Sequence, residues 1–223
     1  MSLFLNYLKS SIGKKQIVAV TGLMLIVFVL GHLAGNLLIL IGPAAYNGYA
    51  NKLSSLRPGL YLVEFALAGV FLIHMLVTYW LVLENIRARP VGYNVYQASG
   101  ERSLATRLMP YTGTIIIIFI VSHLLDFTFA NHEGPSSILN DGKNYGLYGL
   151  VYNTFLSIPH SMFYIVAMMC LGLHLTHGIH SVWQTFGMEE NLTVKRLSSG
   201  LGFGIAILYS SIPAYVLLRN YLH

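Results

Sequence analysis

A chain of 223 residues that is 55% hydrophobic and only 9% charged, with a mean hydropathy of +0.63, carries too little charge for a soluble domain of its length. Its net charge of +5 forms no basic stripe of the kind that binds nucleic acid; the cations fall at loops and helix ends, as topology signals do. The single Cys170 excludes an internal disulfide framework and a cysteine-ligated cluster.

In hydrocarbon every backbone polar group needs an internal partner, so the long apolar runs are read as transmembrane helices in one all-α domain over residues 1–223, embedded in a lipid bilayer. The first span, about 16–41, follows Lys9, Lys14 and Lys15. It is too long for a secretory signal and reads as an uncleaved anchor. The second, about 60–83, follows the turn-like Leu56-Arg57-Pro58-Gly59. The third, fourth and fifth run over about 109–130, 158–186 and 201–219. Each is near the ~20 residues that a ~30 Å hydrocarbon core requires. No low-complexity tract and no internal repeat is evident.

Lysine and arginine counts orient the bundle. With the N-terminus inside, the inner side carries Lys9, Lys14, Lys15, Arg87, Arg89, Arg102, Arg107, Lys195 and Arg196; the outer side carries Lys52, Arg57, Lys143 and Arg219. Nine against four puts the C-terminus outside. The segment 131–157, with Glu133 and Asp141 among several Gly, Asn and Ser residues, also falls outside.

Spans one to four each hold one mid-span histidine: His32, His74, His123 and His174. An ionisable side chain in a bilayer is costly and points to function by default. At ~1.5 Å per residue, His32 lies roughly 22 Å and His123 roughly 18 Å from the inner edge. His74 and His174, on helices of opposite direction, lie roughly 20 Å and 22 Å from the outer edge. Two level pairs result: His32 with His123 outward, His74 with His174 inward. Zinc prefers three or four clustered protein ligands. A porphyrin iron with one axial imidazole from each side suits two stacked pairs better, and closing both axial positions favours electron transfer over oxygen chemistry. Gly31, Gly35, Gly69, Gly172 and Gly178 lie near these histidines and offer bare backbone to a flat macrocycle. Ordinary small-residue packing, as expected of Gly200, Gly202 and Gly204, explains them equally well.

Four local motifs, GHLAGN around His32, FLIHMLVTYW around His74, IVSHLLDF around His123 and HLTHGIHSVWQTFG from His174 onward, extend the pattern over nearly the whole chain. It resembles the five-helix diheme cytochrome b membrane anchor of succinate dehydrogenase and fumarate reductase. The resemblance implies two b hemes, the outer held by His32 and His123 and the inner by His74 and His174. In the last motif it selects His174 as the ligand over His177 and His180. It also implies a flavoprotein subunit and an iron–sulfur subunit on the cytoplasmic face, menaquinone as electron partner, and a bacterial cytoplasmic membrane. The chain has no flavin or dicarboxylate motif, so succinate chemistry would belong to its partners. A diheme subunit of a membrane hydrogenase or formate dehydrogenase is the rival within electron transfer; a metal transporter is the rival from another class.

Two carboxylates sit near the outer ends of their spans: Glu64, ten residues before His74, and Asp126, three after His123. A quinone reacting there exchanges protons, and a buried carboxyl is a suitable carrier. Glu64 has the better claim, because it lies deeper in an apolar run and resembles a carboxylate often found in the family. Interfacial water or pairing with Arg57 is the plain alternative. His160 reads as an interfacial residue near the outer surface, His132 as a loop residue and His223 as the C-terminus. Trp80 and Trp183 read as an aromatic belt.

Overall fold

A computed structural model describes residues 3–88, 104–188 and 191–222. Of the residues singled out above, Arg89, Arg102 and His223 lie outside this set. The described residues are helical, with no strand beyond an isolated bridge between Ile138 and Asn144. A short α1 (Leu3–Lys9) leads into α2 (Ser11–Leu37), and α3 (Pro43–Ser54) follows. Then come α4 (Gly59–Arg87), α5 (Leu104–His123), α6 (Gly146–Leu156), α7 (Ile158–Thr185) and α8 (Leu192–Leu222). Five helical stretches are long and apolar enough to cross a membrane: Ser11–Leu40, Gly59–Arg87, Arg107–Thr128, Ile158–Thr185 and Leu192–Leu222. The chain is a multi-pass helical membrane protein. Its exposed apolar side chains, among them Val27, Leu62, Phe65 and Ile118, lie along these helices where lipid would meet them.

Helices α2, α4, α5 and α8 begin before the hydrophobic limits read from sequence, α8 by nine residues, whereas α7 keeps to the expected span. The extra turns carry polar and basic side chains that hydropathy alone places in loops. At the start of α2, Ser10 caps the helix by accepting from the Gly13 amide at 3.1 Å. Gly13 is required there because a Cβ would lie 2.2 Å from the Tyr7 carbonyl oxygen as α1 folds back.

Helices α7 and α8 form the closest pair. A Cβ on Gly202 would sit 2.7 Å from the Gly172 carbonyl oxygen and 2.5 Å from Thr176 Oγ1. The two backbones meet at these small residues, the usual device for tight association in lipid. The Tyr209 hydroxyl ties α8 to α2 by donating to the Val29 carbonyl at 2.8 Å. Helix α5 packs on α7, and α2 packs on α4, α7 and α8. Helix α4 is different: none of its residues is buried, and its close packing is with α2. Lys14 pairs there with Glu84, whose Oε1 also accepts from Trp80 Nε1 at 2.7 Å.

One end of the bundle is capped. Helices α3 and α6 cover it with a core of Ile39, Tyr46, Tyr148, Val151, Phe155, Tyr164, Ile212 and Val216. Asn47 joins the two caps: its Nδ2 donates to the Tyr145 carbonyl at 2.7 Å, and its Oδ1 accepts from the Tyr148 amide at 3.0 Å. Burial pushes the Tyr46 hydroxyl up to about 12, so it stays a protonated donor toward Asn36 Oδ1. The segment 131–157, read from sequence only as an outer loop, thus contains a full helix. Its tip is set by Asp141, which accepts from the Lys143 amide at 3.0 Å and the Tyr145 hydroxyl at 2.8 Å. Gly142 sits beside it at φ +77, in the left-handed region.

Candidate functional site

The four mid-span histidines form two levels. Toward the capped end, His32 of α2 and His123 of α5 face each other with ring centroids 5.6 Å apart and planes at 88°. A phenylalanine one turn earlier stacks on each: Phe28 on His32 at 5.4 Å and Phe119 on His123 at 5.6 Å. Tyr209 approaches His32 at 6.3 Å, and Tyr164 approaches His123 at 6.2 Å. His123 Nδ1 is buried with no hydrogen-bond partner.

Toward the open end, His74 of α4 and His174 of α7 lie within electrostatic reach of each other. Each ring presents Nδ1 to a threonine on the neighbouring helix. Thr21 Oγ1 is 3.0 Å from His74 Nδ1, and Thr112 Oγ1 is 3.3 Å from His174 Nδ1. A glycine follows each threonine. A Cβ on Gly22 would lie 3.2 Å from His74 Cε1, and one on Gly113 3.5 Å from His174 Cε1. The Nδ1–Cε1 edge of each ring therefore rests on a Thr-Gly pair.

This arrangement corrects two sequence readings. The first is the absence of an internal repeat. Thr21, Gly22, Ile26, Phe28, His32 and Leu33 recur 91 residues later as Thr112, Gly113, Ile117, Phe119, His123 and Leu124. The repeat is invisible to hydropathy, because most of the intervening residues differ, but its six matched positions include the threonine, glycine, phenylalanine and histidine described above on α2 and α5. The second is the choice of glycines. Gly35 faces Tyr49, whose ring would lie 2.6 Å from an added Cβ, and Gly172 faces Ala206 and Gly202 of α8. Those two serve packing, and Gly22 and Gly113 are the glycines against the imidazoles. A Cβ on Gly31, Gly69 or Gly178 would meet nothing within 4 Å.

The donor set fits a metal held between paired imidazoles. With metal–nitrogen bonds of about 2 Å, two axial imidazoles on one metal place their ring centres about 6 Å apart. The 5.6 Å of His32 and His123 is close to that. The two histidines of each pair come from helices, α2 with α5 and α4 with α7, that are not close packing partners of each other. The orphaned Nδ1 of His123 and the bare backbone at Gly31, Gly69 and Gly178 are compatible with a flat group. Among the described residues there is no cluster of three or more His, Cys, Asp or Glu side chains able to hold a metal.

The two carboxylates lie in different surroundings. Glu64 is half-exposed, with 48% of its side chain accessible, and Arg57 donates to its Oε1 at 3.0 Å. Asp126 stands in a π-helical turn, Leu124–Thr128, that continues α5. Its Oδ2 accepts from the Tyr164 hydroxyl at 2.6 Å and the Ser122 hydroxyl at 3.3 Å, and pairs with His160 Nε2 at 2.9 Å. Such turns recur at functional positions in helices. Sequence reasoning placed His160 at the outer interface and missed Tyr164. A signal was present: His160 and Tyr164 are four apart on one helical face, opposite the only aspartate within the five spans. His132 Nε2 lies 2.5 Å from the Phe127 carbonyl oxygen and closes the segment after this turn. His177 and His180 stand one and two turns beyond His174 along α7, and each has interactions of its own.

Compared with known proteins, the chain matches no family model, no curated protein and no solved structure. Fold and site together define a multi-pass helical membrane protein with two levels of paired imidazoles.

Proposed function

We propose that the chain is the membrane-anchor and electron-transfer subunit of a succinate:quinone oxidoreductase, either succinate dehydrogenase or fumarate reductase. In this reading it holds two b hemes between an iron–sulfur subunit and menaquinone. The observation that supports it most is the pairing of four histidines from four helices on two levels, His32 with His123 and His74 with His174. Heme iron, when bound, supplies a reversible one-electron carrier at each level. The protein's part is to hold and orient. The four imidazoles would ligate the iron, while Phe28 and Phe119 hold the rings of the upper pair and Thr21 and Thr112 those of the lower. Apolar helices keep water from both levels.

The remaining parts of the proposal rest on the motif resemblance and the charge distribution. A flavoprotein and an iron–sulfur subunit dock on the cytoplasmic face of a bacterial inner membrane, at the open end of the bundle. The capped end faces outward, and menaquinone reacts there, near Glu64 and Asp126.

Absorbance spectroscopy of the purified chain tests the reading. A bis-histidine, low-spin b-type spectrum with two hemes per chain is expected. His32→Ala or His123→Ala removes one heme preferentially, and His74→Ala or His174→Ala the other. A chain without heme refutes the function. Full retention of both hemes in His174→Ala, with His177 intact, refutes the choice of ligand. Co-purification of flavin and iron–sulfur subunits separates this complex from a hydrogenase or formate dehydrogenase.

A further inference from the structure

We infer that Thr21 and Thr112 are positioning residues that hold His74 and His174 in the Nδ1–H tautomer and so select Nε2 as the nitrogen each presents to a bound heme iron. The inference rests on the reading above and adds to it how one level of the site is set.

A threonine hydroxyl has one proton to give and lone pairs to receive. Thr21 Oγ1 lies 2.7 Å from the Ile17 carbonyl oxygen, one turn back on α2, and 3.2 Å from that of Val18. Its proton is committed to the backbone. Toward His74 Nδ1, at 3.0 Å, the hydroxyl can only accept. Nδ1 must then carry the imidazole proton, and in a neutral ring that leaves the lone pair on Nε2, on the far edge. Thr112 repeats the arrangement. Its hydroxyl lies 3.1 Å from both the Leu108 and Met109 carbonyl oxygens, and 3.3 Å from His174 Nδ1.

A buried threonine that bonds its own preceding turn is already satisfied and needs no histidine. Three observations point beyond that. Both hydroxyls belong to the small set of buried polar side chains, at 7% and 3% exposure. Each is followed by a glycine whose missing Cβ lets the ring approach, at 3.2 and 3.5 Å. The same clasp occurs twice, 91 residues apart, with its histidine on the next membrane-spanning helix each time. In the upper pair, His123 Nδ1 has no partner among the described residues. The clasp is seen at the lower level, where the α2–α4 and α5–α7 halves contribute one copy each.

An acceptor on Nδ1–H fixes ring orientation and raises the basicity of the ligating nitrogen. Removing it should weaken the lower level and leave the upper one intact, so the upper heme serves as a folding control in the same sample. The experiment compares Thr21→Val and Thr112→Val, which keep shape but lose the acceptor, with Thr21→Ser and Thr112→Ser, which keep the hydroxyl. The full chain in detergent is titrated with hemin and followed by absorbance, low-spin electron paramagnetic resonance and redox titration. The valine variants are expected to bind the His74/His174 heme about 10–100-fold more weakly, to shift its resonance, and to raise its midpoint potential. The serine variants should restore all three. Unchanged affinity, resonance and potential in both valine variants overturns the inference, as does serine failing to restore what valine removes. If the wild-type chain binds no hemin, the functional reading fails, and the tautomer is read directly in the heme-free chain. Nitrogen-15 resonances showing protonated Nε2 in His74 and His174 overturn the inference, and protonated Nδ1 sustains it.

Discussion

Replacing Asp126 with alanine should loosen the joint between α5 and α7 at the capped end. One carboxylate oxygen there accepts from Tyr164 at 2.6 Å and Ser122 at 3.3 Å and pairs with His160 at 2.9 Å. Tyr164 is 5% exposed, so without Asp126 its hydroxyl is a buried donor with no acceptor. That penalty alone is about 1–3 kcal/mol. The contact with His160 adds less, because both side chains keep partial access to water, 22% for Asp126 and 30% for His160. A total near 3 kcal/mol is expected. Tyr164→Phe removes donor and need together and should cost about 1 kcal/mol. The double variant should show a coupling of at least ~0.5 kcal/mol, as residues in one hydrogen-bond network do. Unfolding of the detergent-solubilised chain, followed by the fluorescence of Trp80 and Trp183, measures all three. If Asp126→Ala stays within ~0.5 kcal/mol of wild type, the level of an ordinary surface change, or if the two substitutions are simply additive, the network is not a structural unit and the reasoning fails.

The same assay tests the α7–α8 crossing. Gly202→Ala should lose about 1–3 kcal/mol through overpacking, because the added Cβ meets the Gly172 carbonyl oxygen and the Thr176 backbone nitrogen, which cannot swing away; Gly204→Ala, with nothing within 4 Å, should be neutral. Glu64→Gln keeps size and hydrogen bonding but removes a proton carrier. In the assembled complex quinone-linked turnover should fall by about 10²–10⁴-fold while dye-linked succinate oxidation is kept; equal activities, or an equal fall in both, remove Glu64 from the quinone site. The loop tip at Asp141 should respond to acid. The Lys143 amide and the Tyr145 hydroxyl hold its carboxyl below the ordinary value of an aspartate. A depressed carboxyl contributes order above that ordinary value and loses it as pH falls through the lower folded value. The Tyr145 ring resonance should thus be constant from neutral pH down to about 4 and shift only below, a transition that Asp141→Asn abolishes.

The number of spans and the level of each histidine were legible because both follow from hydropathy and a fixed rise per residue. The partner of each residue was not. Thr21 and Thr112 look like two polar residues among apolar ones, and only the rotation of α2 against α4 and of α5 against α7 turns them toward Nδ1 of a histidine. Glycines near a histidine in sequence are not those near it in space, since an imidazole projecting toward the next helix meets that helix's backbone. This is why Gly22 and Gly113 touch rings, and Gly35 and Gly172 do not. Helix α6 escaped notice because eleven residues are too few to span and are bracketed by Gly, Asn and Ser. Sequence depth ranked Glu64 above Asp126, but depth along a helix does not report which face a side chain occupies. Glu64 is half-exposed beside Arg57, and Asp126 is held between α5 and α7.

Helix α4 buries none of its residues and leans on α2 alone for close packing. Its tertiary attachment is therefore open to thermodynamic linkage. A ligand gripping His74 on this helix and His174 on α7 adds its own binding free energy to helix docking. At a hundredfold excess over its Kd that amounts to about 2.7 kcal/mol, a substantial share of the 5–15 kcal/mol by which folded proteins typically exceed their unfolded states. Occupancy of the lower level and assembly of the bundle then become one equilibrium. A ligand held there would add to an attachment that otherwise rests on packing against α2 and on the Tyr79–Thr114 hydrogen bond to α5 at 2.6 Å.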